Sequence, residues 1–396
     1  MMLGLDRALR DDSCRNIFIF FVIVVAFALR LFMASRVPLI HDEDQWIGLA
    51  DQCSMAQGQF KLVFHGYQHP VLPVYLIKLS TVFFGDNLLG YRILNICAGV
   101  LTIWMVYLMA LRWFGVQAAL LSAVFLAFNE YHIGISAFAI EKSFYLLFAS
   151  ITLYYFYKAI DENDPKRMVL AGVYAGLSFL CKEIAFLLLI VFFIYLLFSE
   201  RRDWLKKKTP YVALLVFFVV ISPDIYWNLV NTAPDHDGFV NYADHLKRVS
   251  QLGFSVYPFA FYFFGLFNTF LTDLGIWRND SPEYPGLNSI WGALCFLGVI
   301  FSVYDRKHDF KKLLLYVFFV IFGVVTFLKW KPSPVFEAGL VKVEWYWCSL
   351  TLIPAVLLTS DKISQIKNKW PVLYYIVVLL VLAAIAKSCI FLWGWK

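Results

Sequence analysis

From Ile17 to Leu29 the chain runs without a charged residue, and comparable runs return at 93–111, 117–129, 210–223 and 371–386. A soluble core can bury one such run, but runs spread over the whole chain need a bilayer, whose hydrocarbon core takes about 20 helical residues per crossing. Inside lipid every backbone amide and carbonyl must be paired within the protein, so these segments are helices. Composition agrees, with 61% of residues apolar and only 16% charged, where a soluble chain carries roughly 25%. The 40 Phe and 22 Tyr suit lipid-facing and interfacial positions. The net charge of +6 lies in short loops rather than in a patch, and implies no nucleic-acid partner.

About eleven spans are expected, near 16–35, 91–111, 117–136, 142–157, 168–182, 183–200, 210–230, 286–304, 313–330, 345–360 and 371–394. The shorter apolar stretches 70–84 and 255–272 read as helices at or dipping into the outer interface. With the N-terminus in the cytoplasm, the inner segments hold 19 Lys and Arg in 57 residues, whereas the outer loops 36–90, 231–285 and 331–344 hold 8 in 124. That is the asymmetry of the positive-inside rule. The run after Arg15 continues past Arg30 with no small-residue cleavage site behind it, so it reads as a first span rather than a signal peptide. Cys53 alone of seven cysteines falls in a large polar loop; the others read as packing thiols.

Two outer loops carry amphipathic patterns that suit surface helices. In the first, Trp46, Leu49, Ala50 and Cys53 recur at helical spacing, with Asp44, Asp51 and Gln52 on the other side. In the second, Phe239, Tyr242, Leu246 and Val249 line one side, and Asp244, Lys247 and Arg248 the other. No repeat or linker divides the chain, and a single membrane domain over 1–396 is expected.

Ionisable groups at membrane depth are costly and mark function. They gather where the spans are expected to reach the outer face: Asp42 and Glu43 after the first, Glu141 opening the fourth, Lys182 and Glu183 between the fifth and sixth, and Asp224 late in the seventh. Lys342 and Glu344 precede the tenth. Such a set suits sugar transfer, in which a carboxylate takes the acceptor's proton and fixed cations hold a departing phosphate. It also suits a lipid-linked-sugar flippase or a small-solute transporter. His41, Asp42, Asp44, His65 and His69 could in principle meet a divalent cation, but their spacing matches no metal motif, and no cofactor is expected.

The order of motifs narrows this. Arg30 is followed by Asp42-Glu43 with Trp46; then come Gln68-His69-Pro70-Val71-Leu72-Pro73 and Gly90-Tyr91-Arg92. Next are Gly176-Leu177-Ser178-Phe179-Leu180-Cys181-Lys182, Ser222-Pro223-Asp224-Ile225-Tyr226-Trp227 and Asp244-His245-Leu246-Lys247-Arg248, then Trp345 to Leu358 with Tyr346 and Pro354. The series resembles the GT-C class of membrane glycosyltransferases, in the group of protein O-mannosyltransferases and lipid A aminoarabinose transferases. The resemblance covers most of the chain. It departs from the group's pattern at Val71, where a second Pro is usual, at His69, where some relatives have Lys, and at Ala137, where an Arg often stands.

The resemblance implies an inverting transfer of a sugar from a polyprenyl-phosphate carrier to a glycan, lipid or protein acceptor on the outer face of the plasma membrane. It implies Asp42 as general base and Glu43 orienting it or the acceptor. His69, Lys182 and Arg248, with Lys247 beside it, would hold the carrier phosphate. Glu141, Arg92 and Tyr346 would contact the sugar or acceptor.

Overall fold

The computed structural model describes residues 12–39, 41–52, 70, 72–230, 250–252, 289–305, 308–330 and 349–394. In chain order these form α1 (Asp12–Arg36), α2 (His41–Gln52), α3 (Leu72–Phe84), α4 (Leu88–Trp113), α5 (Val116–Ala127), α6 (Glu130–Ala137), α7 (Lys142–Glu162) and α8 (Pro165–Phe179). After a 3₁₀ turn at Glu183–Phe186 come α9 (Leu187–Phe198), a second 3₁₀ turn at Arg202–Lys206, α10 (Thr209–Val230) and the strand β1 (Ser250–Leu252). The chain continues through α11 (Ser289–Tyr304), α12 (Asp309–Phe327), β2 (Leu328–Trp330), α13 (Ser349–Lys369) and α14 (Pro371–Gly394).

The described part of every predicted span is largely helical, so the all-α membrane bundle read from the apolar runs is the fold observed. By length and composition four of the described helices can each cross a membrane: Asp12–Arg36, Leu88–Trp113, Thr209–Tyr226 and Pro371–Ile390. The span predicted over 117–136 is not one rod. It breaks by 59° between α5 and α6, because Asn129 turns its side chain onto the amide of His132, 2.9 Å away, and starts a new helix. The span predicted over 313–330 stops at Phe327, where Leu328, Lys329 and Trp330 change from helical to alternating pattern. These three residues pair antiparallel with Ser250–Leu252, a short ribbon that the sequence reading did not anticipate.

Of the interfacial stretches, 70–84 contains α3, while 255–272 and the pattern over 239–249 lie outside the described residues. The first surface pattern does form a helix, α2. Trp46, Leu49 and Ala50 are buried and Asp44, Asp51 and Gln52 are exposed, as the spacing predicts. Its apolar side packs against α3 within the protein.

Helix α8 lies against α10 at backbone contact. A Cβ added to Gly172 would stand 2.3 Å from the Ala213 carbonyl oxygen, and one added to Gly176 would stand 2.7 Å from Val220. Small residues four apart let membrane helices approach in this way. The same small side chains leave an apolar cavity of about 140 Å³ lined by Phe156, Ala171, Gly172, Phe192 and Ala213. Gly172→Val forces backbone apart, and overpacking of this kind costs about 2 kcal/mol. Thermal unfolding of the purified variant in detergent is expected several degrees below wild type, and an unchanged midpoint would contradict the close approach.

The described residues of the predicted inner segments after the first share one end of the bundle, where ion pairs tie them. Arg112 reaches Glu162 at 2.5 Å and Asp161 at 3.5 Å, Arg201 meets Asp309 at 3.2 Å, and Lys312 meets Glu200 at 3.4 Å. Lys311 sits between Asp305 (2.7 Å) and Asp361 (2.8 Å), and Lys362 also reaches Asp305, at 2.6 Å. Hydrogen bonds from Lys311 and Lys362 hold the Asp305 carboxyl well below the usual carboxylate range. A carboxyl depressed by folding stabilises above its unfolded value, near ~4, and that contribution is lost as pH falls towards the lower folded value. Asp305→Asn should therefore melt a few degrees below wild type at neutral pH, and the gap should narrow as pH falls below about 4 towards the lower folded value. A gap independent of pH would remove the ion pair as its cause.

Candidate active site

At the opposite end of the bundle, where α1 finishes, the predicted site residues fall into a connected arrangement. Asp42 and Glu43 lie in the first turn of α2. The Glu43 side chain is fully buried and accepts a bidentate pair from Arg92 of α4, with Nε to Oε1 at 2.7 Å and Nη2 to Oε2 at 2.5 Å. Its Oε1 also accepts from the Ala139 amide at 2.8 Å. The remaining Arg92 donors go to the carbonyls of Ala34 (2.5 Å), Val37 (2.7 Å) and Pro38 (3.0 Å). A guanidinium has five N–H groups, and all five are used inside the fold. The exit of α1 and the start of α2 are thereby fixed to α4, and with them the backbone of Asp42.

The segment after α6 links this clamp to a second ion pair. Phe138 to Glu141 is non-helical and buried throughout. Phe138 lies under the Arg92 guanidinium at 5.1 Å, Ala139 donates to Glu43, and the Ile140 carbonyl accepts from Asn95 Nδ2 at 2.5 Å. Two residues beyond Ala139, a reach of at most about 7 Å, Glu141 approaches Lys182 with Oε1 3.3 Å from Nζ. Glu141 stands at the N-cap position of α7, yet its side chain makes no capping hydrogen bond. Lys182, with a side chain 16% exposed, sits in the break between α8 and the 3₁₀ turn that opens α9.

The start of α3 lies at the same place. The Leu72 amide donates to the Leu180 carbonyl at 3.2 Å, so the chain three residues after His69 touches the chain two residues before Lys182. Tyr145 reaches Ser349 at 2.8 Å and its carbonyl accepts from Ser178 at 3.0 Å, joining α7, α8 and the start of α13. Asp224 is buried near the same end of α10. Of the predicted site residues, Glu43, Arg92, Glu141 and Lys182 are brought into one network that starts beside Asp42. His69, Lys247, Arg248 and Tyr346 lie outside the described residues. Lys342 and Glu344 do as well. Among the described residues no group of three or more His, Cys, Asp or Glu could hold a metal ion.

Three structural residues of this end were not foreseen. Asn95, His132 and Ser136 are all buried. The Asn129-Glu130 pair inside an apolar run is the signal that would have marked the helix break.

The architecture is a GT-C fold. The chain superposes on ArnT from Cupriavidus metallidurans, solved bound to undecaprenyl phosphate, with a TM-score of 0.65 at 17% identity, covering 89% of this chain and 60% of that one. Residues 68–227 match the family of dolichyl-phosphate-mannose-protein mannosyltransferases. A protein from Aquifex aeolicus is 26% identical over 327 residues, 81% of this chain and 59% of that protein. An undecaprenyl phosphate-alpha-4-amino-4-deoxy-L-arabinose arabinosyl transferase from Pseudomonas fluorescens is 25% identical over 247 residues, 58% of this chain and 43% of that enzyme. The chain thus spans about half the length of the curated relatives it matches. The resemblance drawn from the motifs, to GT-C transferases that use polyprenyl-phosphate-linked sugars, is the one these relatives bear out.

Proposed function

We propose that the chain transfers a sugar from a polyprenyl-phosphate carrier to an acceptor hydroxyl or amine at the outer face of the membrane, by inverting displacement. The observation that carries the reading is the continuous link Arg92–Glu43–Ala139…Glu141–Lys182. It ties the first turn of α2, which carries Asp42, to a cation at a break between spans. Asp42 takes the proton of the acceptor as its heteroatom attacks the anomeric carbon; the bond to the phosphate oxygen breaks and its electron pair leaves with the polyprenyl phosphate. Lys182 meets the phosphate, and Glu141 holds the ammonium in place until the phosphate arrives. Glu43 and Arg92 act by holding the backbone of Asp42, and a carrier whose tail lies in the bilayer explains why a catalyst for polar sugars is built from membrane helices. His69, Lys247 and Arg248 add positive charge around the leaving group, and Tyr346 and Glu141 approach the sugar or acceptor. The acceptor is a glycan, lipid or protein; the reaction as written uses no cofactor.

Lys182→Ala tests the phosphate contact. With the protein in nanodiscs, the variant is expected to bind polyprenyl phosphate roughly tenfold more weakly, as loss of one charge-assisted contact implies. Equal binding by wild type and variant would take Lys182 out of the phosphate site.

A further inference from the structure

We infer that Arg30, which the reaction itself does not use, is a positioning residue: it holds the broken span α5–α6 open and so sets where Ala139 and Glu141 stand. The inference rests on the transferase reading for its consequence and on geometry alone for its mechanism.

The carbonyls of Leu126 and Ala127 end α5, and the amides four residues on belong to α6, which turns away by 59°. Arg30 comes from α1 to meet them. Nη2 lies 3.2 Å from the Leu126 oxygen and Nη1 3.4 Å from that of Ala127. The other donors are equally committed. Nη1 donates to Ala26 O at 2.8 Å, Nη2 to His132 Nδ1 at 2.6 Å and Nε to Ser136 Oγ at 2.8 Å. Five N–H groups meet five acceptors, four of which (Leu126, Ala127, His132, Ser136) lie on the two arms of the break. Arg30 is fully buried, and none of the five acceptors is a carboxylate. What faces the charge is the carbonyl end of α5, the negative pole of that helix. The Ser136 hydroxyl donates to the His132 carbonyl at 2.5 Å, so its oxygen lone pairs accept from Arg30.

The direction of α6 decides the site. Two residues past its last helical position, Ala139 gives its amide to Glu43; two further on, Glu141 meets Lys182. Arg30 therefore fixes one side of the frame and Arg92 the other, both anchored on the last turns of α1. A lysine has three donors on a single point and cannot reproduce the planar fork. The packing allows no slack either, since a Cβ on Gly99 would come within 2.3 Å of Ser136 Cβ and 3.4 Å of Arg30 Nε.

The test uses the full chain in nanodiscs with Arg30→Met, Arg30→Lys and Ser136→Ala. Amide exchange over 128–141 is measured beside kcat and KM for a synthetic polyprenyl-phosphate-linked sugar. For folded Arg30→Met, exchange over 138–141 should quicken while α7 to α10 stay protected, and kcat should fall roughly 10- to 100-fold, as small misplacements of reacting groups do. The donor KM should stay within about twofold, the pattern of an interaction felt in the transition state. Arg30→Lys should fall between Met and wild type, and Ser136→Ala should show the mildest loss in the same direction. If Arg30→Met does not fold, the other two variants carry the comparison. Wild-type exchange and wild-type kcat in any folded Arg30 variant would overturn the inference, as would a raised KM with kcat unchanged. A wild-type protein that moves no sugar would end the transferase reading instead, and the exchange pattern would still decide whether Arg30 holds the break.

Discussion

Asp42→Asn is expected to lower the rate of sugar transfer by roughly 100- to 10,000-fold, the usual contribution of a positioned general base. Insertion into the membrane and binding of polyprenyl phosphate should be unchanged. The reason is local. Asp42 lies in the first turn of α2 one residue before Glu43, and it is Glu43 that the fold uses as an anchor. Removing the charge at Asp42 therefore leaves the Glu43–Arg92 clamp intact. Single-turnover transfer from a labelled donor, measured beside carrier binding, separates the two effects. Retained transfer would remove Asp42 from the chemistry, and lost carrier binding would make it part of the phosphate site.

Arg92→Met should act in the opposite way, on the fold before the rate. It leaves the Glu43 carboxylate at zero exposure with the Ala139 amide as its remaining donor among the contacts described above. Breaking one partner of a buried pair costs about 3–5 kcal/mol, a large part of the stability of a typical domain. The purified variant should melt well below wild type in detergent. Glu43→Gln keeps the shape and one set of acceptors, and is expected to lose less stability while still displacing the start of α2. The double variant Arg92→Met/Glu43→Leu should recover part of the stability without recovering transfer, because an apolar pair can fill the site but cannot tie α1, α4 and the Ala139 amide together. Stability and transfer restored together would show that the clamp does not set the position of Asp42.

The apolar runs made the helices legible, since nothing but burial in lipid or protein accounts for 371–386 or 93–111 without a charge. Charge bias separated the two ends: Arg112, Arg201, Lys311 and Lys362 do meet at one of them. The 117–136 segment was misread as one rod because hydropathy averages across Asn129, whereas a cap acts through a single hydrogen bond. Lys182 and Glu141 could be named from their positions at span ends, but their proximity is a tertiary fact carried by the packing of α7 on α8. The residues alone did not tell Asp42 from Glu43, and the roles expected of them came from the resemblance. Two adjacent carboxylates look alike in a sequence, and only the guanidinium of Arg92, forty-nine positions on, tells which of them is the anchor.

The most direct measurement follows the fate of the donor. The wild-type chain in nanodiscs is given a synthetic polyprenyl-phosphate-linked hexose and an envelope extract as acceptor, and free polyprenyl phosphate is quantified by mass spectrometry. Release of the free carrier phosphate that disappears with Asp42→Asn and weakens with Lys182→Ala is the expected result. Donor that stays intact while bound to the wild-type protein, or release that persists unchanged in Asp42→Asn, would contradict it.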